Sequence, residues 1–222
     1  MLLSIKRIIS RLKHPYTRSV PTKPRRSPAP EERRRDAERT RQKILEAAAV
    51  EFGAHGYAGA RVRAIAERAG VNQQLLSYYF DGKEGLYQAM AQRWQERQQE
   101  IAPPGTSLPE QLRRYALEVL RDPDGVRVFA WSGLQYTGPD DDPDRESRAR
   151  LLGDSVEQLR AGLIAGADPA CVLVMLMAAA MAPTTLPHVI DSVCGVDPRS
   201  PEFVTHYADQ VAGVAAMLLA KS

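Results

Sequence analysis

The sequence predicts an all-α fold, and three observations carry that reading. Apolar side chains recur at i, i+4 and i+8 in one segment after another, as in Ile44, Ala48 and Phe52 or Leu86, Met90 and Trp94, which is the spacing of one helical face. No stretch shows the apolar–polar alternation of a half-buried strand. Glycine and proline punctuate these segments, at Gly56, Gly70, Pro103-Pro104-Gly105, Pro183, Pro187 and Pro201, where helices end, start or kink. A chain of 222 residues with 26% charged side chains has the composition of a soluble globular protein, and the length for one sizeable core plus a small domain.

Residues 1–30 hold eight basic side chains and no acid, leaving 22 basic against 27 acidic side chains in the rest. The segment MLLSIKRIISRLK is a short basic amphipathic pattern, and Pro15, Pro21, Pro24, Pro28 and Pro30 prevent its continuing as one helix. A disordered basic arm that adds phosphate contacts is the expectation. A membrane-surface helix or an organellar transit peptide also fits the missing acids. No run is long enough for a membrane span: Ala170 to Ala182 is apolar apart from a cysteine, against the roughly 20 residues a span needs. Cys171 and Cys194 are too few for a disulfide scaffold, so the cytoplasm is the natural compartment.

The first domain helix is expected from about Arg33 to Ala54, with Gly56 ending it. A second helix follows, with Ile65, Ala66 and Ala69 on one face, and Gly70 supplies the sharp turn. Asn72 is a good N-cap for a short third helix, in which Leu76 and Phe80 face inward. Asp81 and Glu84 resemble a capping box opening a long helix from Lys83 to about Ile101. Helix, tight turn and short helix is the pattern that places one helix in the DNA major groove. Gln73, Gln74, Ser77 and Tyr79 are then expected to face outward. Gln can pair with adenine, Ser can reach bases or phosphates, and Tyr can reach a phosphate. Leu75 could touch a thymine methyl, Lys83 sits where a phosphate would bind, and Arg63, with Arg61 beside it, is the candidate guanine or phosphate contact from the preceding helix.

The arrangement FGAHGY (52–57), IAERAGV (65–71), SYYF (77–80) and KEGLY (83–87) resembles the DNA-binding domain of the tetracycline-repressor (TetR) family, over roughly Arg39 to Gln98. Four positions depart from the family's usual pattern: Ala60 where Thr commonly caps the first motif helix, Leu75 where a small residue is common, Ser77 for Tyr, and Tyr79 for His. With Ala60 in place, Gly59 or water has to serve the helix start. The operator sequence therefore does not carry over from a relative.

The expected organisation is a basic arm at 1–30, a helix-turn-helix DNA-binding domain at 33–100 with its motif at 61–80, and a larger helical domain at 101–222. Ser107 to Glu110 reads as a capping box opening a helix with Leu112, Tyr115 and Val119 inward. Further helices are expected at 124–136, with Val126, Phe129, Ala130, Gly133 and Leu134 inward, and at 144–165 after an acidic loop. Asp168-Pro169 opens the most apolar helix, and Ser200-Pro201-Glu202 starts the last one. The last helix has an apolar arc too wide for one neighbour, so Phe203, Tyr207, Val211, Val214 and Leu218 are expected to pair with a second copy. The resemblance implies the same, a four-helix dimer interface. It also implies a small-molecule effector pocket, for which Tyr115, Phe129, Trp131, Tyr136, Met175 and Met181 are the candidates.

No nucleophile constellation, glycine-rich phosphate loop or Cys-x-x-Cys stands out, so no catalytic residue, metal or cofactor is expected. His188 with Asp191 and His206 with Asp209 form i, i+3 pairs that could hold a metal only by converging. The expected partners are double-stranded DNA, a second copy of the chain and a small effector, in the manner of a ligand-released repressor on a palindromic operator. The competing class is a helical carrier or enzyme in which the motif is only structural.

Overall fold

The protein is described by a computed structural model over residues 29–139, 145–164 and 166–219. The basic arm, apart from its last residues, and most of the acidic loop lie outside the described residues. The chain divides into two units, Met1–Ala37 and Glu38–Ser222. Of the first, residues 29–37 are described, as exposed helix with Glu31 and Glu32 in the first turn.

Every regular element among the described residues is helical. The order is α1 (Pro30–Gly59), α2 (Val62–Ala69), α3 (Gln73–Phe80), α4 (Gly82–Ile101), α5 (Leu108–Arg121), α6 (Pro123–Leu134), α7 (Arg145–Gly162), α8 (Pro169–Thr185), α9 (Pro187–Cys194) and α10 (Pro201–Leu219). Two apolar cores form. The first joins Ile44, Ala48 and Phe52 of α1 to Ile65 and Ala66 of α2, Leu76 and Phe80 of α3, and Leu86 and Met90 of α4. The second joins Leu108, Leu112 and Ala116 of α5 to Leu159 of α7, Leu173 and Leu176 of α8, and Ala208, Val211 and Ala215 of α10.

Gly56 does not end α1 but breaks it. It has φ +64°, a conformation glycine tolerates, and the chain resumes helical form to Gly59. The turn after α2 follows the Schellman pattern: Gly70 is left-handed, and the Val71 N–H donates to the Ala66 carbonyl at 3.0 Å. Asn72 caps α3 as expected, accepting from the Leu75 N–H at 2.7 Å. The start of α2 works differently from expectation. Ala60 is buried, Arg61 is the extended N-cap residue without a side-chain cap, and the buried Glu51 carboxylate accepts the Arg61 N–H at 3.1 Å.

Neither expected capping box forms. Asp81 adopts a left-handed conformation, φ 55°, and spends its backbone N–H on the Ser77 carbonyl, so it ends α3 and starts α4 with no linker between. Ser107 makes no side-chain cap bond either; the Leu108 N–H goes to Gln158 Oε1 on α7, and Glu110 pairs with Arg114. Ser200 does cap α10, through the Phe203 N–H. Leu134, expected inward, is exposed at the end of α6.

Proline shapes the C-terminal helices. Pro183 sits inside α8 and has no N–H for the Ala179 carbonyl one turn earlier. The Tyr207 hydroxyl donates to that carbonyl at 2.8 Å and so ties α10 to α8. At Leu186–Pro187 the chain bends by 84° into α9. No single helix among the described residues is long and apolar enough to cross a membrane.

Gly85 holds the reading motif closed. A Cβ there would lie 1.9 Å from the Phe80 carbonyl oxygen, which no rotamer can relieve because both partners are backbone. Gly85→Ala is expected to destabilise the protein by about 3 kcal/mol, at the upper end for overpacking, measured by urea unfolding. An unchanged midpoint would contradict the close approach of α3 and α4.

Candidate nucleic-acid interface and the cleft beside it

The sides of α3 are sharply unequal. Leu76 and Phe80 are buried, whereas Gln73, Gln74, Ser77 and Tyr78 are exposed. Tyr79, expected outward, is half-buried against the first core, and Leu75 is half-buried too. Tyr78 takes the outward place instead, at 81% exposure, its ring edge-on to Tyr79 with centroids 5.4 Å apart. Helical arithmetic held this signal: at about 100° per residue, position 78 lies about 180° from the midpoint of 76 and 80.

Cations surround this face. The side chains of Arg61 and Arg63 are exposed. The Arg63 guanidinium bonds Glu67 at 2.8 Å, which raises its pKa further. An exposed i, i+4 pair is worth only a few tenths of a kcal/mol, so a phosphate can replace Glu67. Lys83 Nζ lies 4.7 Å from the centre of the Tyr57 ring and 3.4 Å from the Ala58 carbonyl. That position at the negative end of α1 holds the ammonium ready rather than free. Arg41 lies over the Phe80 ring at 5.2 Å, behind the motif. The outer side of α3 offers amides, a serine hydroxyl and an aromatic hydroxyl, with exposed Arg61 and Arg63 at the start of α2, the chemistry that reads a duplex and grips its backbone.

A cleft of about 2540 Å³ lies between α1, α4, α6, α7 and α8. It gathers four of the six expected pocket side chains: Phe129, Trp131, Tyr136 and Met181. Tyr115 does not line it but packs on the second core, where burial and then the nearby Glu118 push its hydroxyl up to about 12. Met175 does not line it either. It is 61% exposed on α8, about 100° around the helix from the buried Leu176. Trp94 was absent from the pocket set because its i, i+4 relation to Met90 marked it as core; it lines the cleft, with its ring centroid 5.7 Å from that of Phe129.

The cleft is joined to the reading motif by short contacts. Trp131 Nε1 donates to the Gly53 carbonyl of α1 at 3.2 Å. A Cβ on Gly56 would lie 3.0 Å from the Trp131 ring, and one on Gly53 would lie 3.2 Å from the Asp124 carbonyl. Two glycines thus let α6 approach α1 closely. On the next helix, the buried Glu118 accepts from Arg97 Nε at 2.7 Å and Arg97 Nη2 at 2.8 Å, fixing α4 to α5. These hydrogen bonds, foremost those to Glu118, raise the Arg97 pKa.

On α10 the expected pairing residues divide. Val211 is buried in its own subunit's core, Leu218 and Tyr207 pack beside it, and Phe203 stacks on Tyr207. Val214 alone of the five is exposed. The wide apolar arc is consumed by α5 and α8 on one side, which shifts the uncovered strip to Gly213, Val214 and Met217. On α8, Cys171, Val174, Met175 and Ala178 form a second uncovered strip at helical spacing. Among the described residues no three His, Cys, Asp or Glu side chains gather as a metal site, and Asp209 is ion-paired with Arg113 at 2.6 Å.

Comparison with known proteins agrees with this geometry. The family described as "Bacterial regulatory proteins, tetR family" matches residues 44–90, the span of the first core. Over 152 residues the chain is 30% identical to the HTH-type transcriptional repressor SCO4008 of Streptomyces coelicolor, covering 65% of this chain and 78% of that one. The solved structure of the putative transcriptional regulator SCO4942, also from Streptomyces coelicolor, superposes with a TM-score of 0.62 at 28% identity, over 79% of this chain and 97% of that one. AibR, solved in complex with isovaleryl coenzyme A and operator DNA, shares the fold with a TM-score of 0.62 at 20% identity, over 81% of this chain and 98% of that one. An exposed polar helix face locked into a four-helix core, in a chain with these relatives, has one explanation: the protein belongs to the TetR family of DNA-binding transcriptional regulators.

Proposed function

We propose that the chain is a homodimeric repressor that binds a palindromic operator and is released from it by a small molecule seated in the cleft. The observation that carries the DNA reading is the outward quartet Gln73, Gln74, Ser77 and Tyr78 on a helix whose other side is fixed by Leu76 and Phe80. Gln73 and Gln74 are suited to adenine, Ser77 to a base or phosphate, and Tyr78 to a phosphate oxygen or a thymine methyl. Arg61, Arg63 and Lys83 would hold the backbone on either side, in the roles the sequence suggests.

Two uncovered apolar strips support the dimer. Val174 and Met175 on α8 and Val214 and Met217 on α10 carry no charge and are 45–67% exposed. Surfaces of this kind mark an interaction site, and helices that already pack together offer a four-helix, two-fold arrangement. This strip replaces the pairing set expected from the sequence, of which Val214 remains. A two-fold dimer places its reading helices about 34–36 Å apart, or a multiple of that, on a palindrome.

Release by a ligand rests on the position of the cleft. Its walls include α4, which belongs to the first core, and Trp131, which bonds the Gly53 carbonyl of α1. A molecule that prefers a different spacing of α6 and α1 would shift the population away from the DNA-competent form. AibR, of the same fold, provides a precedent in its complex with isovaleryl coenzyme A and operator DNA.

Selection from random duplex DNA with the purified full chain at low salt should enrich a palindrome. Recovery of unselected sequence would favour a carrier or enzyme instead. On the enriched site, Lys83→Ala is expected to weaken binding to all sequences alike and lower the salt slope by about 1; equal affinity to wild type at several salt concentrations would remove Lys83 from the interface. Val174→Glu combined with Met217→Glu should give a helical monomer by sedimentation velocity, and a retained dimer would place the interface elsewhere.

A further inference from the structure

The cleft holds two buried polar atoms, Trp94 Nε1 and Thr184 Oγ1, with no hydrogen-bond partner among the described residues. Leaving a buried donor unmet costs about 1–3 kcal/mol, and native proteins retain few such groups. A helical threonine commonly returns its hydroxyl to the carbonyl one turn back. Thr185 does so, to Met181 at 3.1 Å, whereas Thr184 does not. An indole N–H is a donor only, so whatever satisfies Trp94 must bring an acceptor. Both atoms are closed off in the cleft as it stands, so an acceptor carried by a ligand reaches the Trp94 N–H once the side chains over it turn aside.

The surroundings narrow the chemistry further. Trp94, Phe129 and Trp131 present flat ring surface, and Leu151 and Met181 add aliphatic and thioether surface. The buried charge nearby is already neutralised: both Glu118 oxygens take Arg97, and Glu100 takes it too at 2.6 Å. Of the other cleft arginines, Arg93, Arg121, Arg148 and Arg150 are exposed and face a ligand's solvent end, Arg41 lies over the Phe80 ring, and Arg127 bonds Asp124 at 3.4 Å. An ionised group at the buried end would therefore meet no available counter-charge and lose its hydration.

We propose that the cleft takes a planar, largely apolar molecule bearing an uncharged acceptor oxygen, such as a ketone or ester carbonyl, which receives the Trp94 Nε1–H while the rings of Trp94 and Phe129 hold its flat body. This names the chemical class of the effector and rests on the reading of the cleft as the effector site. Trp94 is its specificity-determining residue, because the donor discriminates against a molecule of the same shape without the oxygen.

The test compares 2-acetylnaphthalene with 2-isopropenylnaphthalene, near-isosteres with and without a carbonyl, by equilibrium dialysis against the full chain. The ketone is expected to bind on the order of tenfold tighter, and Trp94→Phe should bring the ratio close to one. The chain has two tryptophans, Trp94 and Trp131, so a ¹⁵N-labelled sample gives two indole N–H resonances. The ketone should move that of Trp94 in wild-type protein and the alkene should not, a readout that stands even if the variant folds poorly. Equal binding of the two probes, no binding of either, or an unmoved Trp94 resonance would overturn the proposal. Operator release is measured separately: Trp94-dependent binding of the ketone without release keeps the ligand class and rejects the release mechanism.

Discussion

The contact between the Trp131 indole and the end of α1 is the constraint on which the rest of the molecule depends. Gly56 must be glycine twice over: its φ of +64° suits no other residue well, and a Cβ would press on the Trp131 ring at 3.0 Å. The same break in α1 turns Tyr57 and Ala58 toward Lys83. One local irregularity thus admits α6 on one side and seats the Lys83 ammonium on the other. The hydrogen bond from Trp131 to Gly53 then fixes the approach of α6 to within a rotamer's freedom.

Buried carboxylates do comparable work at two other joints. Glu51 receives the Arg61 N–H where no side chain caps the helix, so α2 starts from a carboxylate on the preceding helix rather than from its own neighbour. Glu118 receives Arg97 through two bonds and holds α4, which belongs to the first core, against α5, which belongs to the second. Truncating one member of such a pair leaves the other buried and uncompensated, at a cost of about 3–5 kcal/mol, even though the intact pair adds little net stability. These pairs specify position more than they supply stability.

The sequence made the helices, the motif and most of the first core legible, because period, glycine and proline are local signals. It made Gln73, Gln74 and Ser77 legible as an outward face for the same reason. Tyr78 was legible in principle and missed in favour of Tyr79. The capping boxes at Asp81 and Ser107 were false signals: each has the right residues, but tertiary packing satisfies the helix start another way, through a left-handed Asp81 in one case and Gln158 in the other. Met175 and Val211 could not be placed from sequence, since both lie on helices apolar over a wide arc, where periodicity does not say which side meets the subunit's own core. Trp94 as a cleft residue was hidden for the same reason, its apolar spacing being that of a core position.

Coupling between the cleft and the reading face is reciprocal by linkage, so it can be tested from the DNA side without knowing the effector. The direct measurement follows the two indole N–H resonances of the full chain on titration with its selected operator and with a scrambled duplex of the same length. The Trp131 resonance, bonded to α1, should shift with the operator and not with the scrambled duplex. If it stays unmoved while the protein binds its operator, the reading head and the cleft are independent, and the account of a seam that links them fails.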